Sequence, residues 1–218
     1  TPLEAVELAK LTREHMKGFR KLLMGAPVTV KEDTRKRAPG SVNRDLTVLR
    51  AALNLALAEG KVTTDFAWRE PLKPIKGAVR RRDLYLDKQQ RRALIEHAAP
   101  DVGNFLRGLS LLPLRPGALA GLNAGHYNAR LKTLRIGMDK AGKDRQLIVQ
   151  GATADFLAQQ ARGKDPDAPL FTRADGARWN KDAWKDPIKE AVSAAGLPPE
   201  TTAYTLRHSV ITDLVVGG

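Results

Sequence analysis

The chain contains no cysteine, so neither a disulfide framework nor a thiolate metal site is open to it. It has no run of about 18 uninterrupted apolar residues, so no membrane-spanning helix is expected. It starts Thr1-Pro2, with neither a methionine nor a signal peptide, which reads as a fragment of something longer. There is no internal repeat and no low-complexity tract. Tyrosine is scarce: Tyr85, Tyr127 and Tyr204 are the three. What is present looks globular. The chain has 218 residues, 42% of them hydrophobic, enough for one large domain or two small ones with real cores and too apolar for wholesale disorder.

Charge narrows the choice of partner. Lysine and arginine number 37 against 24 acidic residues, a net of +13. Residues 1–82 hold 18 basic and 9 acidic side chains, whereas residues 83–218 hold 19 and 15. The basicity is concentrated in the first third. A polyanion is the natural partner of such a surface, because each neutralised phosphate releases condensed counterions. A merely soluble basic surface is the plainer alternative.

Periodicity divides the chain at a basic stretch. Leu3, Val6, Leu8, Leu11, Met16, Phe19 and Leu22 predict a helix over 3–24. A polar loop over 29–40 carries Lys31, Arg35, Lys36 and Arg37. Ser41 is a good N-cap for a second helix, whose stripe is Leu46, Leu49, Leu53 and Leu57 and which Gly60 ends. Arg44 and Arg50 fall off that stripe, either on a solvated face or free to reach a partner. Lys73, Lys76, Arg80, Arg81 and Arg82, interleaved with proline and glycine, suit an extended linker over 73–83. Such a segment could lie along a phosphate backbone or be a solvated tether.

Beyond the linker, Asp87 caps a helix to about residue 99, and another over 101–112 leads into Leu114-Arg115-Pro116-Gly117. Pro116 is placed to start a short helix. The period then changes. Tyr127, residues 131–136 and residues 146–149 predict three short strands, with Lys140-Ala141-Gly142-Lys143 as the turn between the last two. Helices return near 153–161, 180–195 and from Tyr204 onward. The expected fold is mainly α with a small three-stranded antiparallel β-sheet: a helical unit over 1–72, the linker over 73–83, and an α+β unit over 84–218.

The chemistry-bearing residues are individually ambiguous. Arg115, between an apolar helix and a Pro-Gly turn, is either a phosphate clamp or a structural ion pair. Arg207 has the same two readings. Lys140 at a hairpin tip suits solubility as well as function, and Tyr204 suits packing. His208 reads as a hydrogen-bonded structural residue, and Trp179 and Trp184 as packing residues.

Their order along the chain is more specific than any one of them. A basic helical block and linker precede Leu114-Arg115-Pro116-Gly117. Lys140-Ala141-Gly142-Lys143-Asp144-Arg145 follows, and then Tyr204-Thr205-Leu206-Arg207-His208. Ser41-Val42-Asn43-Arg44 and Phe171-Thr172-Arg173-Ala174-Asp175-Gly176 add supporting matches. Over almost the whole chain, from about Leu11, this order resembles the tyrosine recombinase (phage integrase) family.

The resemblance implies a core-binding domain and a catalytic domain that clamp double-stranded DNA. Arg115 and Arg207 would hold the non-bridging oxygens of the scissile phosphate and stabilise its pentavalent transition state. Lys140 would protonate the leaving 5′ oxygen. Tyr204 stands where the family usually has histidine; a phenol cannot serve as a base near neutrality, so its implied role is to position the phosphate by a hydrogen bond. Arg44, Arg50, Lys73, Lys76, Arg80, Arg81, Arg82 and Lys143 are the candidate DNA contacts. No metal or cofactor is implied, because a phosphotyrosyl link conserves the bond energy. The family's reaction implies a homo-tetramer on two duplexes, no membrane partner, and a cytoplasmic, nucleoid-associated bacterial or phage protein.

Two departures stand out. Ala118 occupies a position that is commonly acidic. The family's remaining His or Trp and its nucleophilic tyrosine come well after the second arginine, yet no tyrosine follows Arg207 here. The expectation is therefore a recombinase region truncated before its nucleophile, inactive in cleavage by itself. Two alternatives are a non-catalytic DNA-binding module of the same fold and a basic RNA-associated protein.

Overall fold

A computed structural model describes residues 3–30, 32–78, 84–138 and 144–217, without the side chains of Val30, Met138 and Asp144. Lys31, Arg80, Arg81, Arg82, Lys140 and Lys143 lie outside the described residues. The chain divides into two compact units, Thr1–Arg82 and Asp83–Gly218.

The first unit is built on two helices, α1 (Arg13–Gly25) and α2 (Pro39–Ala58). The helix expected over 3–24 is broken, because Thr12 accepts a hydrogen bond from the His15 amide while the His15 ring accepts one from the Thr12 amide. That reciprocal cap starts α1 at Arg13 and leaves two short 3-10 turns before it. The core gathers Met16 and Leu23 from α1, Val42, Leu46 and Leu53 from α2, and Ala67, Trp68 and Leu72 from the segment that follows. Trp68 satisfies its buried indole by donating to Asn54 Oδ1 at 2.9 Å.

Three local expectations change here. Ser41 is not the N-cap of α2: Ala38 is, and Pro39 begins the helix, its fixed φ suiting the first helical position. Residues 29–40 are not an irregular loop. β1 (Pro27–Val30) and β2 (Asp33–Lys36) form a two-stranded antiparallel ribbon. The first part of the basic stretch is not a free tether either. The Asn43 side chain accepts from the Ile75 amide at 2.7 Å and donates to its carbonyl at 3.1 Å. Arg20 donates to the carbonyls of Pro71 and Lys73. Residues 71–75 are thereby fastened to the helical unit.

The second unit contains α3 (Lys88–Glu96), α4 (Pro100–Leu111), the short α5 (Pro116–Ala120), α6 (Gly151–Ala161), α7 (Lys181–Ala194) and α8 (Ala203–Val216). β3 (Tyr127–Asn128), β4 (Thr133–Met138) and β5 (Asp144–Ile148) form the expected three-stranded antiparallel sheet in that order. Asp87 caps α3 in a reciprocal box with Gln90. Phe105 on α4 sits at the centre of the core, with Trp179 and Trp184 stacked against it at centroid distances of 5.4 Å. Both tryptophans therefore pack, as their sequence context suggests. Gly108 lets Phe171 close on α4; a Cβ there would lie 2.9 Å from the ring. Together α4 and α8 form the frame on which the arginines are mounted.

Candidate phosphate-binding site

Arg115 is the N-cap residue of α5, at the end of the connector from α4. Pro116 is buried behind it, so the backbone is fixed while the arginine side of the turn stays exposed. Arg178 holds the other end of α5, donating to the carbonyls of Ala120 at 2.9 Å and Leu122 at 3.3 Å and to Asn123 Oδ1 at 2.6 Å. This arginine was not a sequence candidate, since no local motif marks a side chain that reaches back more than fifty residues.

Arg207 lies in the second turn of α8, half-buried between the buried Leu206 and the exposed His208. Its Nη1 donates to the Pro113 carbonyl in the α4–α5 connector. The second arginine is thus tied to the backbone that carries the first. Burial, then the positive charge of Arg115, lowers the Arg207 pKa, and Tyr204 offsets this in part. Arg207 is therefore close enough to both Arg115 and Tyr204 to sense their charge.

The electrostatics of this cluster are unusual for a structural pair. Two guanidinium groups are gathered and, among the described residues, neither is in an ion pair with a carboxylate. Ala118, where an acid could have stood, is exposed. Like charges held together in a partly desolvated place cost free energy unless an anion joins them. Guanidinium forks match the tetrahedral oxygens of a phosphate. Among the described residues, no carboxylate supports the structural ion-pair reading of these two arginines.

The remaining candidates are scattered. Tyr204 is 43% exposed at the start of α8. His208 points into solvent rather than into the core; only its carbonyl is engaged, by the Thr212 hydroxyl. On the first unit, Arg44, Arg50 and Lys76 are exposed, and Lys73 is exposed but paired with Glu70 at 2.8 Å. Among the described residues no cluster of His, Cys, Asp or Glu could hold a metal ion, and no helix is long and apolar enough to cross a membrane.

A different arginine does have an acid. Arg91 on α3, 5% exposed, pairs with Asp213 near the far end of α8. Asp213 also accepts from the Tyr85 hydroxyl at 2.6 Å. The Tyr85 hydrogen bond, then the one from Arg91, holds the Asp213 carboxyl below the usual range, and the same contact raises the Tyr85 phenol. Ser209, fully buried on α8, accepts from the Leu86 amide at 2.9 Å and donates to the Thr205 carbonyl.

No family model matches the chain. Over 109 residues it is 35% identical to a tyrosine recombinase XerC of Rhodospirillum centenum; the match covers 48% of this chain and 32% of that protein. A XerC of Rhizobium meliloti matches over a similar span at 28% identity, with 34% of its length covered. The chain thus spans about a third of the curated relatives it matches. Among solved structures, the Tn1549 transposon integrase in complex with a circular intermediate DNA superposes with a TM-score of 0.76 at 13% identity, covering all of this chain and 77% of that one. A lambda integrase dimer bound to a core site gives 0.69 at 15% identity, with 94% and 71% covered. The resemblance first visible in the order of the arginine boxes is thus matched in three dimensions, and the chain has the tyrosine recombinase (integrase) fold.

Proposed function

We propose that this chain binds duplex DNA and holds one phosphodiester between Arg115 and Arg207, as the phosphate-clamping part of a site-specific DNA recombinase. The observation that carries the proposal is the proximity of these arginines with no paired carboxylate among the described residues. A phosphoryl transition state gathers negative charge on its equatorial oxygens, and preorganised cations that need no rearrangement stabilise it most. Arg207 is held in place by the Pro113 carbonyl and Arg115 by the fixed turn before Pro116. Tyr204 is assigned a positioning hydrogen bond to a phosphate oxygen. Lys140 is assigned protonation of the leaving oxygen, on its place in the sequence between the two boxes. The basic first unit supplies phosphate-backbone contacts through Arg44, Arg50 and Lys76, with Lys73 and the arginines at 80–82 extending them. Both Tn1549 and lambda integrases are described on DNA, which supports the choice of partner. No cofactor is assigned, and a tetramer on two duplexes would be the working assembly.

None of Tyr85, Tyr127 and Tyr204 follows Arg207, so residues 1–218 alone are assigned binding without attack. The test is a nicked suicide duplex, which traps any covalent protein–DNA link. Residues 1–218 should bind it and form no adduct. A covalent adduct would overturn the division between holding and cutting. In a longer chain with a downstream tyrosine, Arg207→Ala should retain much of the DNA binding and lose cleavage. The same absence of a tyrosine also fits a second reading, a DNA-binding module without catalysis. That reading requires no adduct from any longer chain containing this segment.

A further inference from the structure

The β1–β2 ribbon has no role in the clamp, and its sequence gives it no core to join. Its register pairs Pro27 with Lys36, Val28 with Arg35, Thr29 with Thr34 and Val30 with Asp33. Since side chains alternate between faces, Pro27, Thr29, Thr34 and Lys36 share one face. Val28 is half-buried on the other, which marks the side turned toward the protein. The first face is exposed along its whole length. At its centre the Thr29 and Thr34 hydroxyls are 3.3 Å apart and hydrogen-bonded to each other, each with further capacity to donate or accept. An isolated two-stranded ribbon is only marginally stable in water. This one is anchored at its base, where Arg37, just after β2, forms an ion pair with Asp45 on α2. The ribbon is therefore held against the helix that presents Arg44.

From this geometry we infer that the ribbon is a base-reading element: its Thr29–Thr34 face enters a DNA groove while Lys36, on the same face, contacts a flanking phosphate. The inference rests on the duplex-DNA reading above and adds where sequence is sensed. The major groove is about 12 Å wide and admits a two-stranded ribbon. Four residues per strand, at about 3.3 Å each, span roughly 13 Å, enough for a few base edges. Threonine serves either kind of base partner, its hydroxyl bonding polar edges and its methyl meeting the thymine methyl. A protein partner is disfavoured. Residues 27–36 contain no aromatic residue or methionine, the types that dominate protein interfaces, and charged side chains on short edges oppose strand addition.

The test uses the full chain and a random-sequence duplex library, with repeated selection and sequencing. Thr29→Val with Thr34→Val keeps β-branched side chains and removes both hydroxyls. Thr29→Ser with Thr34→Ser keeps the hydroxyls and serves as a rescue. The wild type should select a consensus, and the valine variant should lose preference at one short block of it by about tenfold, with affinity for unselected duplex within about threefold. The serine variant should restore the block. An unchanged consensus in the valine variant would overturn the inference. So would a wild type that binds duplex without preference, or a variant whose only change is in self-association. A wild type that binds no duplex at all would instead sink the DNA reading beneath it.

Discussion

The two ends of α8 treat an arginine in opposite ways. Near its C-terminus, Asp213 meets the nearly buried Arg91 and cancels its charge. Near its N-terminus, Arg207 meets a carbonyl and another arginine, and no carboxylate among the described residues. One end satisfies its cation within the protein; the other keeps positive charge available at the surface. The contrast separates a cation that serves stability from a cation that serves a ligand, and it does so on a single helix. Burial alone would have ranked Arg91 as the more notable residue.

The contrast can be broken most forcefully at its structural end. Asp213→Ala leaves Arg91 buried and unpaired and should cost about 3 kcal/mol, read by urea denaturation. A loss below about 1 kcal/mol would show that the pair is incidental. Because the Asp213 carboxyl titrates below its unfolded value, its contribution is present above that value and is lost as the pH falls through the folded one. Asp213→Asn should therefore flatten the acid limb of the stability profile.

At the functional end, Arg207→Ala should cost only about 1 kcal/mol of stability. The bond to the Pro113 carbonyl goes, but so does repulsion with Arg115. Duplex affinity should be largely retained, with the slope of log affinity against log salt lower by about one, while cleavage by a longer chain is lost. Arg115→Met should be smaller still, neutral within about 0.5 kcal/mol or slightly stabilising, while the slope of log affinity for duplex against log salt falls by about one. A marked destabilisation by Arg115→Met would mean that the arginine is structural after all.

The smallest expected effect lies outside both ends. His126 accepts from the Asn123 amide through Nδ1, which requires a neutral ring. Burial first, then Arg135 and Arg178, push its pKa below the usual 6.5. The unfolded chain therefore binds this proton more readily, so stability is complete above about pH 6.5 and declines as the pH drops toward the folded value. Thermal unfolding of His126→Asn should show a weaker dependence between about pH 7 and pH 5.

These outcomes bear on what a sequence can reveal. Asp87, Pro116, the two tryptophans and the three-stranded sheet were legible because each follows a local rule: a cap, a fixed φ, an apolar packing residue, a period of two. Arg115 and Arg207 were legible only through their order along the chain. The β1–β2 ribbon was not. Its side chains are exposed on one face and largely exposed on the other, so the alternation that betrays a half-buried strand never appears. Ser41 lost the capping role because Pro39 commits the backbone two residues earlier. The Arg91–Asp213 pair and the Asn43 clasp on Ile75 were invisible for another reason. They join residues 122 and 32 positions apart, and no periodicity reports such distances.

The hydrogen bonds from Tyr85 to Asp213 and from Leu86 to Ser209 also say where the second unit begins for anyone who wishes to cut it out. Its first helix starts at Lys88, and a cloning boundary drawn there would look natural. It would leave the Ser209 hydroxyl without its amide donor and Asp213 without its phenol, both on the helix that carries Arg207. An isolated second unit should therefore start no later than Tyr85, and a pair of expression clones differing only by residues 85–87 should differ in yield and melting temperature.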